Sequence, residues 1–572
     1  MHSTFDDIDH QLLLSSHPSH TLSLKSYRNS LAPVSRLPHI LLTDIFILIH
    51  QSERTNNLFS LHHPPCLQIS HVSRAWRDSA LQCPLLWTDI LFRPPEWTPI
   101  MLERSRTAPL RVGIQVEDYN LVDNHFVSSV RLALSHIHHI RSLRIVLSGR
   151  SGRSIDLGDL LSPFLTGSPD ILEELMLVAS HCSTFPNYIY PSMENAPCLR
   201  HLVLQSCHIN WQRVSSVGNL TSLDLQYIPI SSRPSVEDIL SLLQTMTKLE
   251  NLSLIHAISE LPSSIRTLPP NDISPIRLQH MFDLCLTGFL LDCANLMRHL
   301  VVPRCRHLTV NAETYWHITE VALAVPPLAS IISSSFSQLE RQELPYLASI
   351  FRTCDNSTTI AARPLVGDAE ELSLLVILTW RASSQMDSVE ISPGFGNLLT
   401  KVPLSRVVHF TACREYGAED VDWLEVLPRL SRVESVLLSG SYAYDFANAF
   451  HETQTMHVPS PHVADAIILP QLKSLTITNA HFSFPLGDAE LFSTLKRVLT
   501  RRLGLGWTVP IISLVNCHIT PQQLAVLNTL ASGTISCTGQ PETLGVGELD
   551  RDTSDEDDYS DVEEDWLSPT SD

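Results

Sequence analysis

Three stretches decide the fold: Leu199-Arg-His-Leu202-Val-Leu204, Leu220-Thr-Ser-Leu223-Asp-Leu225 and Leu249-Glu-Asn-Leu252-Ser-Leu254. Each reads L-x-x-L-x-L. The last three positions alternate apolar, polar, apolar, the pattern of a strand with one buried face. The leading Leu, three residues earlier, turns into the same interior. One such unit cannot bury that face alone, so neighbouring units must stack and share a core. The pattern recurs upstream as Ile140-Arg-Ser-Leu143-Arg-Ile145 and Leu172-Glu-Glu-Leu175-Met-Leu177. Downstream it continues as Met281-Phe-Asp-Leu284-Cys-Leu286 and Cys305-Arg-His-Leu308-Thr-Val310. It returns as Val433-Glu-Ser-Val436-Leu-Leu438 and Leu472-Lys-Ser-Leu475-Thr-Ile477. From 140 to 305 the starts lie 21 to 32 residues apart, the spacing of a repeat array.

Helix-like stretches lie between the strands. In Ser235–Met246, Ser235 is placed to cap, and Ile239, Leu242, Leu243 and Met246 share one face. A helix is expected over Ala489–Leu503 and a strand over Ile511–Cys517. Pro262–Pro275, Ser383–Pro403 and Ser441–Pro470 read as irregular insertions. Leu372–Leu378 and Pro403-Leu404-x-x-Val407 read as degenerate copies of the unit. The fold class is thus an α/β repeat over 139–540. The residue between the two strand leucines faces away from the core. Arg144, Met176, Val203, Asp224, Ser253 and Thr476 are therefore the candidates for contact with a protein partner.

Charge is unevenly placed along the 572 residues. The formal charge is −21, and residues 548–572 hold twelve acids against Arg551, a net of −11. The segment 541–572 is expected to be a disordered acidic tail. In it Ser554-Asp-Glu-Asp and Ser560-Asp-Val-Glu suit an acidophilic kinase, which needs an acid three residues on. The 39 basic residues are scattered, so no nucleic-acid partner is expected. No apolar run is long enough to span a bilayer, so no membrane partner is expected either. The twelve cysteines include no C-x-x-C, and the first residues do not form a signal peptide. An intracellular compartment, cytoplasmic or nuclear, is expected.

A second pattern precedes the repeats. Residues 1–34 are rich in Ser and His and read as a flexible segment. Then Leu37-Pro38-His39-Ile40-Leu41-Leu42-Thr43-Asp44-Ile45-Phe46 opens a helix in which Pro38 suits the first turn. Leu41, Ile45 and Leu48 form one stripe, and Leu42, Phe46 and Ile49 another, so both sides are expected to be packed. Leu67, Val72-Ser-Arg-Ala-Trp76-Arg77 and Pro84-Leu85-Leu86-Trp87 add one or two short helices.

In order and spacing this run, over about residues 36–90, resembles an F-box. The family pattern is L-P-x-E-[IL]-L-x-x-I-F, then V-C-x-x-W-R, then P-x-L-W. Ile40 stands where the family has Glu, and Ser73 where it has Cys. With the repeats behind it, the layout is similar to F-box proteins of mushroom-forming fungi. The resemblance implies a short all-helical F-box unit (35–92), a connecting segment (93–138) and a leucine-rich-repeat solenoid: a curved parallel sheet with helices outside.

In function it implies a substrate receptor of a Skp–cullin–F-box ubiquitin ligase. Leu37, Pro38, Leu41, Ile45, Phe46, Leu67, Val72, Trp76 and Trp87 carry over to the adaptor-binding unit, with Pro38, Leu41 and Trp76 first among the expected anchors. The partners implied are a Skp-type adaptor, a cullin reached through it, and an unidentified protein substrate. The alternative is a repeat scaffold that enters no cullin complex, which Ile40 motivates.

No enzyme chemistry emerges from the motifs. Gly504-Leu-Gly506-Trp-Thr-Val509 lacks the third Gly of a dinucleotide loop and follows a helix. Ser441 lacks the flanking glycines of a nucleophile elbow. His62, His63 and Cys66, and likewise His136, His138 and His139, fall short of a four-ligand zinc set. No metal and no cofactor are expected.

Overall fold

A computed structural model describes residues 2–53, 66–117, 124–148, 164, 167–179, 196–208, 211, 218–261, 268–269, 274–314, 318–336, 346–353, 357–364, 373–380, 404–414, 421–456, 468–483, 485–486, 489–531 and 535–538. The tail with Ser554 and Ser560 and the stretch 383–403 lie outside these residues, as do most of 262–275.

Among the described residues the fold is mixed α/β, built on one 17-stranded, almost wholly parallel sheet. Its first nine strands run in chain order. They are β1 (Asp89–Ile90), β2 (Leu110–Glu117), β3 (Ile140–Ser148), β4 (Glu174–Ala179), β5 (His201–Gln205), β6 (Ser222–Gln226), β7 (Asn251–Ile255), β8 (Asp283–Phe289) and β9 (His307–Thr314). Three strands then depart from that order: β10 (Tyr346–Thr353), β11 (Ser357–Pro364) and β12 (Ser373–Trp380). β12 pairs with β9, and β10 carries the sheet onward to β13 (Val407–Arg414). β11 lies between β12 and β10, antiparallel to both. From β13 the parallel order resumes through β14 (Ser435–Gly440), β15 (Ser474–Thr478), β16 (Ile511–Val515) and β17 (Ile535–Thr538).

The pairing register follows the L-x-x-L-x-L unit. Leu175 stands against Leu202, Leu202 against Leu223, and Leu223 against Leu252. Both strand leucines of these units are buried, and the residue between them is half-buried. Each fully buried Leu contributes about 1.5–3 kcal/mol.

The unit also has an exit that the motif search did not anticipate. Seven residues after the leading Leu, Ser206, Tyr227, His256 and Asn479 take φ between 48° and 53°. Asn516 does the same in its unit, and Gly440 takes φ 62° in its own. The amide of Tyr227 donates to the Ile255 carbonyl, and that of His256 to Thr287, so the ladder runs one step beyond the strands before the chain turns off. The next residue drops into the core: Cys207, Ile228, Ala257, Ala480 and Cys517 are buried. The Cys207 thiol donates to the Leu177 carbonyl of the preceding unit, and Cys517 to Ile477.

Helices cover the buried side of the sheet. The expected helix after Ser235 is α8 (Val236–Thr245), closed by a reciprocal capping box between Ser235 and Asp238. α9 (Leu290–Met297) is buried nearly throughout.

Several expectations are corrected. Residues 2–31 hold two helices, α1 (His2–Leu14) and α2 (Pro18–Leu31), rather than a flexible segment. Packing of Ile8 and the Arg28–Asp9 ion pair at 2.6 Å hold this hairpin, not an apolar stripe, so hydrophobic periodicity did not reveal it. The sheet begins at Asp89 rather than 139. The segment 93–138 is thus not a mere connection: it carries β2 between the helices α6 (Trp97–Ser105) and α7 (Asn124–Leu134). Its unit, Leu110-Arg-Val112-Gly-Ile114, is one residue short of the motif, and a register shift after Leu110 absorbs the difference. Ser441–Pro470 is not a plain insertion, since it contains α12 (Tyr442–Met456). The unit at β13 is Val407-Val-His-Phe410-Thr-Ala412, three residues later than Leu404 suggested, with Phe410 opposite Val436. The helix expected over 489–503 is α13 (Leu491–Gly504).

Two predictions follow from these contacts. Leu254→Ala is expected to cost about 2–5 kcal/mol, and Ser253→Ala, one residue away, less than about 0.5 kcal/mol; urea titration of both variants checks the alternation. The rings of His481 and His518 stack at 4.1 Å, and burial, with His518 beside it, holds His481 below its ordinary value. His136 and His451 shift the same way. The unfolded chain therefore takes up protons first, and stability falls as pH drops below the ordinary imidazole value of about 6.5. Comparing urea midpoints above and below that value should show the loss, and His481→Gln should reduce it.

Candidate functional site

Two surfaces carry the candidate residues. The first is the N-terminal helical unit: α3 (His39–Glu53), α4 (Cys66–Val72), α5 (Arg74–Gln82) and a 3-10 turn over Pro84–Trp87. Ser73 caps α5 by accepting from the Trp76 amide at 3.2 Å. The Ser79 hydroxyl meets the His39 ring at 3.0 Å, which pins the start of α3 on α5.

Inside the unit, Phe46 and Trp87 are fully buried. The Phe46 and Trp76 rings lie 5.0 Å apart. The Trp87 indole donates to the Ala80 carbonyl at 2.9 Å, and the Arg104 guanidinium sits 4.3 Å above its ring. These three aromatics hold the helices together. Burial pushes the Cys66 thiol up to about 12, so it is no nucleophile at neutral pH.

The other side of α3 is bare. Leu42 and Phe46 face the core, but Leu41 is 48% exposed, Leu48 63%, and Ile45 and Ile49 are exposed as well. The expectation that both stripes are packed is corrected: of the second only Leu42 and Phe46 are buried, and the first is exposed. The spacing 41, 45, 48 and 49 makes a single apolar stripe along the helix. Pro38 is exposed just before it, and Ile40 is 74% exposed. Val72 and Leu85 are also exposed, on elements of the unit that pack against α3. Leu37 and Leu67 are half-buried. Ile40, Leu48, Ile49 and Leu85 were not among the adaptor-binding residues carried over from the resemblance; their signal was an apolar run longer than one buried face requires.

The unit is fixed to the sheet by a buried polar contact. His50 Nε2, at the end of α3, lies 3.2 Å from Asp89 Oδ2 in β1. Both side chains are only 2% exposed. Arg111 Nη1, from β2, lies 3.7 Å from the other carboxylate oxygen.

The second surface is the open side of the sheet. The register places Arg144, Met176, Val203, Asp224 and Ser253 in one unbroken row across β3–β7. Cys285 and Thr309 extend it. Thr476 lies in the same row beyond the β10–β12 excursion, between Leu437 and Ser513. Arg144 stands 3.8 Å from Glu174, and the Gln226 amide donates to Asp224 at 2.8 Å. All six expected residues are half-buried, so each leaves part of its side chain at the surface.

Among the described residues, no group of three or more His, Cys, Asp or Glu could hold a metal ion, and no helix is long and apolar enough to cross a membrane. No protein-family model matches the chain, and no curated protein is similar to it.

Asp89→Ala should cost about 1–3 kcal/mol, because it takes the polar neighbour from a buried imidazole. Leu41→Asp, on the bare stripe, should change stability by no more than about 0.5 kcal/mol. Thermal unfolding of the two variants tests whether the junction, and not the stripe, carries the fold.

Proposed function

We propose that the chain is the substrate receptor of a Skp–cullin–F-box ubiquitin ligase. The observation that carries this reading is the stripe Leu41, Ile45, Leu48 and Ile49. It is bare on a helix whose opposite side buries Leu42, Phe46 and His50. Exposed apolar surface of this kind marks an interaction site, and it falls within the residues that resemble an F-box. In this reading the helical unit docks on a Skp-type adaptor, which connects it to a cullin. Leu41 and Ile45 are the anchors, with Pro38 and Val72 beside them. Phe46, Trp76 and Trp87 shape the unit from within, and Leu37 and Leu67 contribute at its edges.

The repeats then act as a leucine-rich-repeat solenoid whose open strand face holds the substrate protein. Arg144, Met176, Val203, Asp224 and Ser253 form the first contact row, and Thr476 belongs to its continuation. No bond is made by the chain itself. It raises the effective concentration of substrate lysines beside a ubiquitin-loaded enzyme, and catalysis here is positioning. A second reading, a repeat scaffold outside any cullin complex, is favoured by one observation: Ile40, in place of the usual Glu, adds an apolar side chain beside the stripe where an acidic contact would stand.

Co-expression with a Skp-type adaptor tests both readings. Folded wild type should capture the adaptor stoichiometrically. Leu41→Asp/Ile45→Asp should weaken capture by about 30-fold or more, as loss of a central anchor does, while its circular dichroism stays unchanged. Folded wild type that captures no adaptor would leave the scaffold reading.

A further inference from the structure

The chain is acidic overall, yet α13 is strongly basic. Its sequence, Leu491-Phe-Ser-Thr-Leu-Lys-Arg-Val-Leu-Thr-Arg-Arg-Leu-Gly504, carries four cations and no acid. One of them is structural. Arg502 is buried, and it donates to the carbonyls of Thr508, Ile468 and Leu469. Its guanidinium lies between the Phe450 and Trp507 rings. With Leu495, Val498 and Leu499 also buried, the rotation of the helix is fixed. Lys496, Arg497 and Arg501 are thereby turned outward, toward α12.

There they line an open groove of about 680 Å³ with His451, Phe492 and Thr500. Glu490 is the one carboxylate of the lining, and Glu452 follows His451 on α12. Among the described residues, Lys496, Arg497 and Arg501 make no ion pair with any acid. The groove field is positive enough to act on His451: burial first, then Arg497 and Arg501, hold its imidazole below the ordinary value. A cationic groove with an aromatic edge is a receptor for an acidic peptide.

We propose that the acidic segment Ser554–Asp565 of this same chain docks in the groove between α12 and α13. Charge complementarity selects it. The segment Ser-Asp-Glu-Asp-Asp-Tyr-Ser-Asp-Val-Glu-Glu-Asp holds eight acids and no base. The described fold also ends soon after α13 in the chain. α14 (Pro521–Leu530) packs on α13 and leads directly into β17, which ends at Thr538. Residues 539–553 can span up to about 50 Å when extended. That is ample for a site two elements away, and tethering gives the acidic segment an effective concentration on the order of millimolar. The groove is on the helical side of the sheet, so the docked tail leaves the strand-face row open. Phosphorylation at Ser554 or Ser560 would add about −1.5 to −2 charges each and tighten the docking.

Zero-length carbodiimide cross-linking of the full chain tests this. The chain has five lysines, at 25, 248, 401, 473 and 496, so amide bonds to tail carboxylates report position directly. Lys496 should be joined to residues 555–565 about tenfold more than Lys248, because tethering acts on every lysine of the chain and docking only on the one in the groove. The yield should not depend on protein concentration, should collapse in 1 M salt, and should drop in Arg497→Glu/Arg501→Glu. The salt series on wild type stands even if that variant misfolds. Equal labelling of Lys248, Lys473 and Lys496 would overturn the proposal, and so would a Lys496 link whose yield rises with protein concentration.

Discussion

A strand of five residues with two buried leucines has no stability of its own. Everything in this molecule depends on the resulting need for neighbours in register. Leu202 is buried only because Leu175 and Leu223 flank it, and the same holds along the sheet. The left-handed residues at the strand exits show how strong that demand is. Tyr227 is not a residue that favours positive φ, and such a conformation costs on the order of 1 kcal/mol or more. It persists because it lets the ladder make one further hydrogen bond and then drops the next residue into the core.

The junction between the helical unit and the sheet obeys a different rule. His50, Asp89 and Arg111 come from α3, β1 and β2, and they meet at one carboxylate, with His50 and Asp89 buried. Buried ion pairs are poor contributors to stability relative to apolar packing, but they define geometry tightly. Here the Asp89 carboxylate is the point where α3, which carries the bare stripe, meets the first two strands of the sheet. In the proposed receptor that junction matters, because a rigid arm sets where a bound substrate stands relative to the adaptor.

Much of this was legible in the sequence. The row Arg144, Met176, Val203, Asp224 and Ser253 could be read from spacing alone, because the strand period of two leaves one position free between two leucines. The capping box at Ser235 was readable for the same local reason. What escaped was whatever a local pattern does not encode. The unit at Leu110 is one residue short, and only its pairing with β3 reveals it. The α1–α2 hairpin rests on one buried Ile and an ion pair rather than on a periodic face. On α3, periodicity gave two apolar stripes but could not say that one lacks a neighbour. Nor could linear sequence show that burial of Arg502 orients three other cations of the same helix.

The β10–β12 excursion has a consequence for variation. Contacts across a stacked sheet pass mainly between adjacent strands, and here the parallel order is interrupted by a reversed strand. The surface from β2 to β9 and the surface from β13 to β17 are therefore two neighbourhoods with little direct communication. Substitutions can accumulate on one without disturbing the shape of the other. A chain built this way can alter one half of its face and keep the other half unchanged.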